Sequence, residues 1–250
     1  MKKINLLAIS GYYPNKEGES NYGTKAYSAL IKNHPNDIEL SIAAHPAKSS
    51  NDPPFVHRLT GGEGRVAKFI RSMLMIKFML HKKPDIIHYQ GVHTALYGGV
   101  TGEPLLLLMF IARLLGIKNI ITVHSTWTKR HLREWVENKR FNYFKKTIFI
   151  LYITFYYRSI GFLMDRINIL VAGGDSDIFR EFLTDYKFST QKTFLEIHPC
   201  TKNILKPHSK GNIITKNILA AGFVRPDKGL SELIEIDLTI ESLMFLFDVS

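Results

Sequence analysis

The sequence predicts an α/β protein, a doubly wound parallel sheet followed by an incomplete second domain. Three observations carry that expectation. Short apolar runs alternate with longer segments of helical periodicity along most of the 250 residues, the order of strand–helix–strand units. The runs are continuously apolar instead of alternating, as strands covered on both faces are. Glycine or polar residues follow most of them, where the loops at the carboxyl ends of parallel strands lie and where such sheets bind ligands.

Taken in order, "INLLAIS" (4–10) is a strand followed by a glycine-bearing loop, and "YGTKAYSALIK" (22–32) is a helix. "DIELSIAAH" (37–45) is a second strand, and Pro, Ser and Asn make 46–54 a loop. A helix follows over 65–83, then the short strand "PDIIHYQG" (84–91). "EPLLLLMFIARLLGI" (103–117) is a helix with Pro104 in its first turn, where a missing N–H is harmless. "NIITVHS" (119–125) is a strand, and 127–164 is mostly helical. "RINILVAG" (166–173) is a strand, and the acidic residues opening "DSDIFREFLTDY" (175–186) suit a helix N-terminus. "KTFLEIHP", "NILAAGF" and 243–249 supply three further strands. The turn-rich stretch 199–217 divides a first domain, 1–200, from a second, 201–250.

Composition fits a globular chain, with 45% hydrophobic and 22% charged residues. The single cysteine, Cys200, allows no internal disulfide and fits a reducing compartment. The apolar run after "MKK" stops at Ser10, too soon for a signal peptide, so a cytoplasmic protein is expected. The net charge of +11 is uneven: residues 1–164 hold 23 Lys and Arg against 10 Asp and Glu, residues 165–250 hold 10 against 12. Such asymmetry points to a polyanionic partner. Nucleic acid is not expected, because no recognition-helix or aromatic RNA-binding pattern accompanies the charge.

Four strand-end loops hold the candidate chemistry. In "GYYPNKEGESNYGTKAY" (11–27), Gly18 and Gly23 would let backbone amides approach a phosphate or sugar ahead of the helix start; a flexible turn explains them equally well. "HYQGVHT" (88–94) sets His88, Gln90 and His93 around Gly91 at a strand end, and "TVHSTWTKR" (122–130) places His124 beside Ser125 and Thr126. His88 and His93 are five residues apart with no carboxylate or thiol ligand nearby, so no metal site is expected. In "GFVRPDKG" (222–229), Arg225, Lys228 and the Gly229 amide could neutralise a doubly charged anion, or form a solvated turn.

In combination these segments resemble glycosyltransferase family 4, retaining sugar-transfer enzymes of GT-B fold. "GFVRPDKGLSELIEI" looks like the start of that family's second domain, "KPDIIHYQG" like its "PDvvH" strand, and "ITVHSTWTK" like its "H-[ST]-[ST]" loop. "DRINILVAGGDSD" and "FLEIHPC" are similar to the segments that close its first domain. The resemblance implies a Rossmann-like first domain that binds a saccharide or lipid-linked saccharide acceptor, and a second that binds a nucleotide-sugar donor. It implies that Arg225, Lys228 and Gly229 grip the donor diphosphate, that His124 lies beside the transferred sugar as the catalytic group, and that the Gly18–Gly23 loop nears diphosphate and acceptor. It implies no metal or other cofactor. The acceptor class would be an envelope or exopolysaccharide.

The family's second domain carries two glutamates eight positions apart, and no such pair exists in this sequence. Few residues follow Ile236, so the expectation is a truncated transferase, or a non-catalytic acceptor-binding or membrane-docked remnant of one. "RVAKFIRSMLMIKFMLHKK" (65–83) and "KRFNYFKKTIFILYITFYYRSIGFLM" (139–164) mix apolar and basic residues. The uninterrupted apolar part of the latter, 147–157, is too short to span a bilayer. A core helix and an interfacial helix on the anionic inner face of a membrane both fit.

Overall fold

A computed structural model describes residues 3–13, 18–44, 51–59, 65–90, 103–124, 128–138, 142–171, 176–197, 218–222 and 243–247. The chain divides into two compact units, Met1–Pro199 and Cys200–Ser250.

The first unit is built on seven parallel strands. They are β1 (Ile4–Ile9), β2 (Ile38–Ala44), β3 (Val56–Arg58), β4 (Ile86–Gln90), β5 (Lys118–Val123), β6 (Arg166–Val171) and β7 (Thr193–Ile197), in the spatial order β3-β2-β1-β4-β5-β6-β7. This is the expected α/β, Rossmann-like doubly wound sheet. The helices among the described residues are α1 (Gly18–Asn33), α2 (Arg65–Lys82), α3 (Glu103–Leu114), α4 (Lys129–Glu137), α5 (Tyr143–Leu163) and α6 (Ser176–Tyr186).

Strand alternation sorts the core into two layers. Leu7, Ile9, Ile87, Tyr89, Ile121, Val123, Ile167 and Ile169 point to one face and pack with α2, α3, α5 and α6. Leu6, Ala8, Leu40 and Ile42 point to the other, where Tyr27, Leu30 and Ile31 of α1 cover them. A fully buried Leu or Ile contributes about 1.5–3 kcal/mol relative to exposure, and Leu7, Ile42, Ile87 and Ile121 have no exposed surface. The apolar runs therefore both form the strands and fix which helix covers each face.

Two aspartates pin the amino ends of neighbouring strands. Asp85, just before β4, accepts the main-chain N–H of Asn5 on β1 at 2.8 Å, and Asp165, just before β6, accepts that of Asn119 on β5 at 2.8 Å. The "PDII" and "DRIN" segments thus owe their aspartates to strand alignment. Asn119 is itself buried and donates to the carbonyl of Met109, 3.1 Å away. α3 ends in a glycine cap: Gly116 takes φ 72°, while Ile117 N–H reaches Ala112 O and Gly116 N–H reaches Arg113 O.

Two details differ from the sequence expectation and one, the mostly helical 127–164, is refined. Residues 56–58, read as following a loop, form the edge strand β3. The region 127–164 contains two helices, α4 and α5, each with its own N-cap, Thr128 and Asn142. α1 begins at Gly18, four residues before the expected start. In the unit Cys200–Ser250, the described residues are the parallel strands β8 (Ile218–Gly222) and β9 (Leu243–Phe247).

Candidate active site

Parallel strands deliver all their carboxyl ends to one edge of the sheet. The chain leaves β1 toward β2 on one side, while β4 on the other side leads on to β5. The crevice between β1 and β4 is therefore the topological switch point where such sheets bind ligands. Because Ile87 and Tyr89 enter the core beneath α2, α3 and α5, alternation sends His88 and Gln90 to the α1 face. By the same alternation Ile121 and Val123 turn Thr122 toward that face, and His124 follows directly after β5.

The polar groups form two tiers. In the inner tier, the Tyr27 hydroxyl bonds His88 Nδ1 at 2.8 Å, and His88 Nε2 bonds Thr122 Oγ1 at 2.9 Å. In the outer tier, the buried Gln90 amide bonds His124 Nε2, and the Tyr22 ring meets the His124 ring edge to face at 4.9 Å. Burial, with the nearby His124 adding to it, pushes the His88 imidazole down to about 4. A neutral ring with one donor and one acceptor nitrogen suits its two hydroxyl partners.

The helix can bring both tyrosines to the strands because Gly23 has no side chain. A Cβ there would lie 2.3 Å from Ser10 Oγ and 3.0 Å from Gly11 O. The loop leaving β1 is tied down from β3: Arg58 holds Asp52 through two bonds, at 2.8 and 2.9 Å, and donates to the carbonyls of Tyr12 and Tyr13. Tyr13 N–H in turn donates to Thr24 Oγ1 of α1 at 2.9 Å.

His88, Gln90 and His124 thus converge at the strand ends. Gly18 and Gly23 require a correction: both are helical, not in a loop ahead of the helix. Gly18 is the first residue of α1 and Gly23 lies in its second turn, past the open amides, where it serves close packing. His93, Ser125, Thr126, Arg225, Lys228 and Gly229 lie outside the described residues. Tyr22, Tyr27, Thr122 and Arg58 escaped the sequence reading. Of these only Thr122 left a signal, two residues before His124 and hence on the same strand face. Among the described residues, no three His, Cys, Asp or Glu side chains gather as metal ligands, and no helix is long and apolar enough to cross a membrane.

No family model and no curated protein sequence matches the chain. Its fold does match solved structures. The UDP-N-acetylglucosamine 2-epimerase from Rickettsia bellii superposes with a TM-score of 0.51 at 10% identity, covering 99% of this chain and 63% of that one. The UDP-GlcNAc 2-epimerase from Methanocaldococcus jannaschii gives 0.34 at 15% identity, covering 99% and 74%, a superposition too loose for structural inference. The chain spans less than two thirds of the Rickettsia enzyme's length. At such identity the likeness establishes the fold alone, an architecture shared with the Rickettsia enzyme.

Proposed function

We propose that the chain is a nucleotide-sugar glycosyltransferase of the family 4 type, passing a sugar with retention to an envelope or exopolysaccharide acceptor. One observation supports this above the others: the Gln90–His124–Tyr22 group at the carboxyl edge of the sheet, beside the β1/β4 crevice. As placed, the Gln90 amide donates to His124 Nε2, so Nδ1 carries the proton, and in this reading the imidazole lies beside the transferred sugar. His88, with both nitrogens occupied by Tyr27 and Thr122, is a positioning residue beneath it.

In this reading the bond from the sugar's anomeric carbon to the diphosphate oxygen breaks as the acceptor oxygen bonds the same carbon on the same face. The acceptor's proton passes to the departing phosphate oxygen. Arg225 and Lys228 stabilise the charge that gathers on the diphosphate, and Gly229 lends an amide. Gly18, at the open end of α1, is the remaining candidate for an acceptor or phosphate contact. Ser125, Thr126 and His93 complete the acceptor side. The partners are a nucleotide-sugar, a saccharide or lipid-linked saccharide, and an anionic membrane surface. No metal or cofactor is invoked.

Calorimetric titration with nucleotide-sugars tests donor binding, and labelled-sugar transfer tests the reaction. Saturable heat that weakens in Arg225→Ala and Lys228→Ala is expected; its absence would leave a non-catalytic remnant of such an enzyme. The likeness to the Rickettsia enzyme favours a second reading, isomerisation of the nucleotide-sugar itself. A changed sugar recovered from incubations without acceptor would select it.

A further inference from the structure

The helices that cover one sheet face carry a second apolar surface, turned away from the core. On α5, Tyr156, Tyr157, Ile160 and Leu163 are buried. Yet Phe144, Ile148, Leu151, Phe155 and Phe162 are exposed, with Leu151 and Phe155 showing 63% and 62% of their surface. Their spacing of four, three, four and seven residues places them on one stripe. The stripe runs about 27 Å from end to end at 1.5 Å per residue.

The neighbouring helices continue it. α3 packs between α2 and α5 and exposes Leu107, Phe110 and Leu114 at helical spacing. α2 exposes Val66, Phe69 and Ile70. Arg113 of α3 lies over the Phe162 ring of α5 at 5.1 Å, linking the two stripes. A helix apolar on every side belongs between two apolar layers, and the described residues supply only one of them.

Charge identifies the other. The α2 and α5 sequences contain no Asp or Glu; Lys77 follows Ile70 at helical spacing, Arg158 stands between Phe155 and Phe162 at helical spacing, and Lys145 flanks the α5 stripe. A second copy meeting this face about a two-fold axis would set cation against cation. Anionic headgroups would neutralise the lysines and arginines while the aromatic and aliphatic groups enter the acyl boundary.

We propose that the outer face of α2, α3 and α5 docks on an anionic lipid bilayer, with α5 lying in the interface plane. The proposal deepens the partner part of the functional reading, but its test measures lipid binding, so either can fail without the other. The full chain is sedimented with vesicles of equal parts phosphatidylcholine and phosphatidylglycerol. Binding is expected, and phosphatidylcholine alone should bind far less. Combined Phe144→Ser, Leu151→Ser and Phe155→Ser should weaken it about tenfold or more, and Lys77→Glu with Lys145→Glu and Arg158→Glu should do the same. A Phe155→Trp reporter, which keeps the apolar face, should shift its emission to the blue on adding the anionic vesicles. No sedimentation with anionic vesicles, or an unshifted reporter, would overturn the proposal. So would a concentration-dependent dimer in sedimentation velocity that the triple serine variant abolishes, since the face would then belong to a second copy.

Discussion

Gln90 is bonded to His124 across the β4–β5 pair, along the same diagonal that joins His88 to Thr122. In register, Gln90 stands level with Thr122 and His88 with Ile120, so each β4 side chain reaches two residues further along the neighbouring strand. The repeat makes the pair a product of strand register, and register is fixed by the buried Ile87, Tyr89, Ile121 and Val123. Gln90→Leu keeps the volume but removes the partner that sets the His124 ring. The expected outcome is a kcat for the proposed sugar transfer about tenfold to a hundredfold lower, with nucleotide-sugar affinity nearly unchanged. Steady-state kinetics paired with calorimetry checks both halves, and an unaltered kcat would remove Gln90 from the site.

His88 links the site to the pH dependence of folding. Its folded value, about 4, lies below the ordinary 6.5 because burial disfavours the charged ring. The unfolded chain therefore binds the proton first as pH falls. The contribution of a neutral His88 is fully present above 6.5 and is lost progressively from 6.5 to about 4. The loss amounts to at most about 3 kcal/mol for that shift. Urea denaturation from pH 7 to pH 4 should show stability falling over this window. His88→Asn, which does not titrate, should flatten that part of the fall, and an identical slope in the variant would place the sensitivity elsewhere.

Much of this architecture was legible in the chain because continuous apolar runs leave little freedom: "INLLAI", "IIHYQ", "NIITV" and "INILV" each had to be a strand buried on two sides. β3 was not legible, since Val-His-Arg is too short for periodicity and acts through the Arg58–Asp52 pairing. The start of α1 was hidden by "GESN", whose composition reads as a turn. In the site, His88, Gln90 and His124 could be read from their position at strand ends. Tyr27 could not, because its partner His88 is 61 residues away, and the contact depends on how a helix crosses a strand. Local patterns name the strand face; the helix packing that chooses its visitors is non-local.

Lys187, directly after α6, offers a test of backbone strain away from the site. It takes φ 56°, a left-handed conformation that closes the helix with Phe188 N–H bonded to Leu183 O at 3.0 Å. That position favours glycine, as Gly116 shows after α3. Lys187→Gly should relieve the side-chain strain by more than it adds to unfolded-chain entropy, for a net gain of about 0.5–1 kcal/mol. A urea midpoint that rises at constant m-value is the expected result; a lower midpoint would mean the lysine side chain contributes more than its strain removes.

Gly23 tests how tightly α1 must approach the sheet. On an exposed helix, glycine to alanine would gain about 1 kcal/mol. At this position the new Cβ would stand 2.3 Å from Ser10 Oγ and 3.0 Å from the Gly11 carbonyl. Ser10 is buried, and its hydroxyl bonds Gly11 O at 2.7 Å, so it has little room to yield. The clash outweighs propensity, and Gly23→Ala should lower stability by about 1–2 kcal/mol. A helix pushed outward also carries Tyr22 and Tyr27 away from His124 and His88, so activity should fall together with stability. Adding Ser10→Gly removes the nearest obstacle but leaves the Gly11 carbonyl, and should recover part of both losses. If Gly23→Ala instead proved more stable than the parent chain, α1 would not be held against the β1 end as described, and the tyrosine contacts to the two histidines would lose their support.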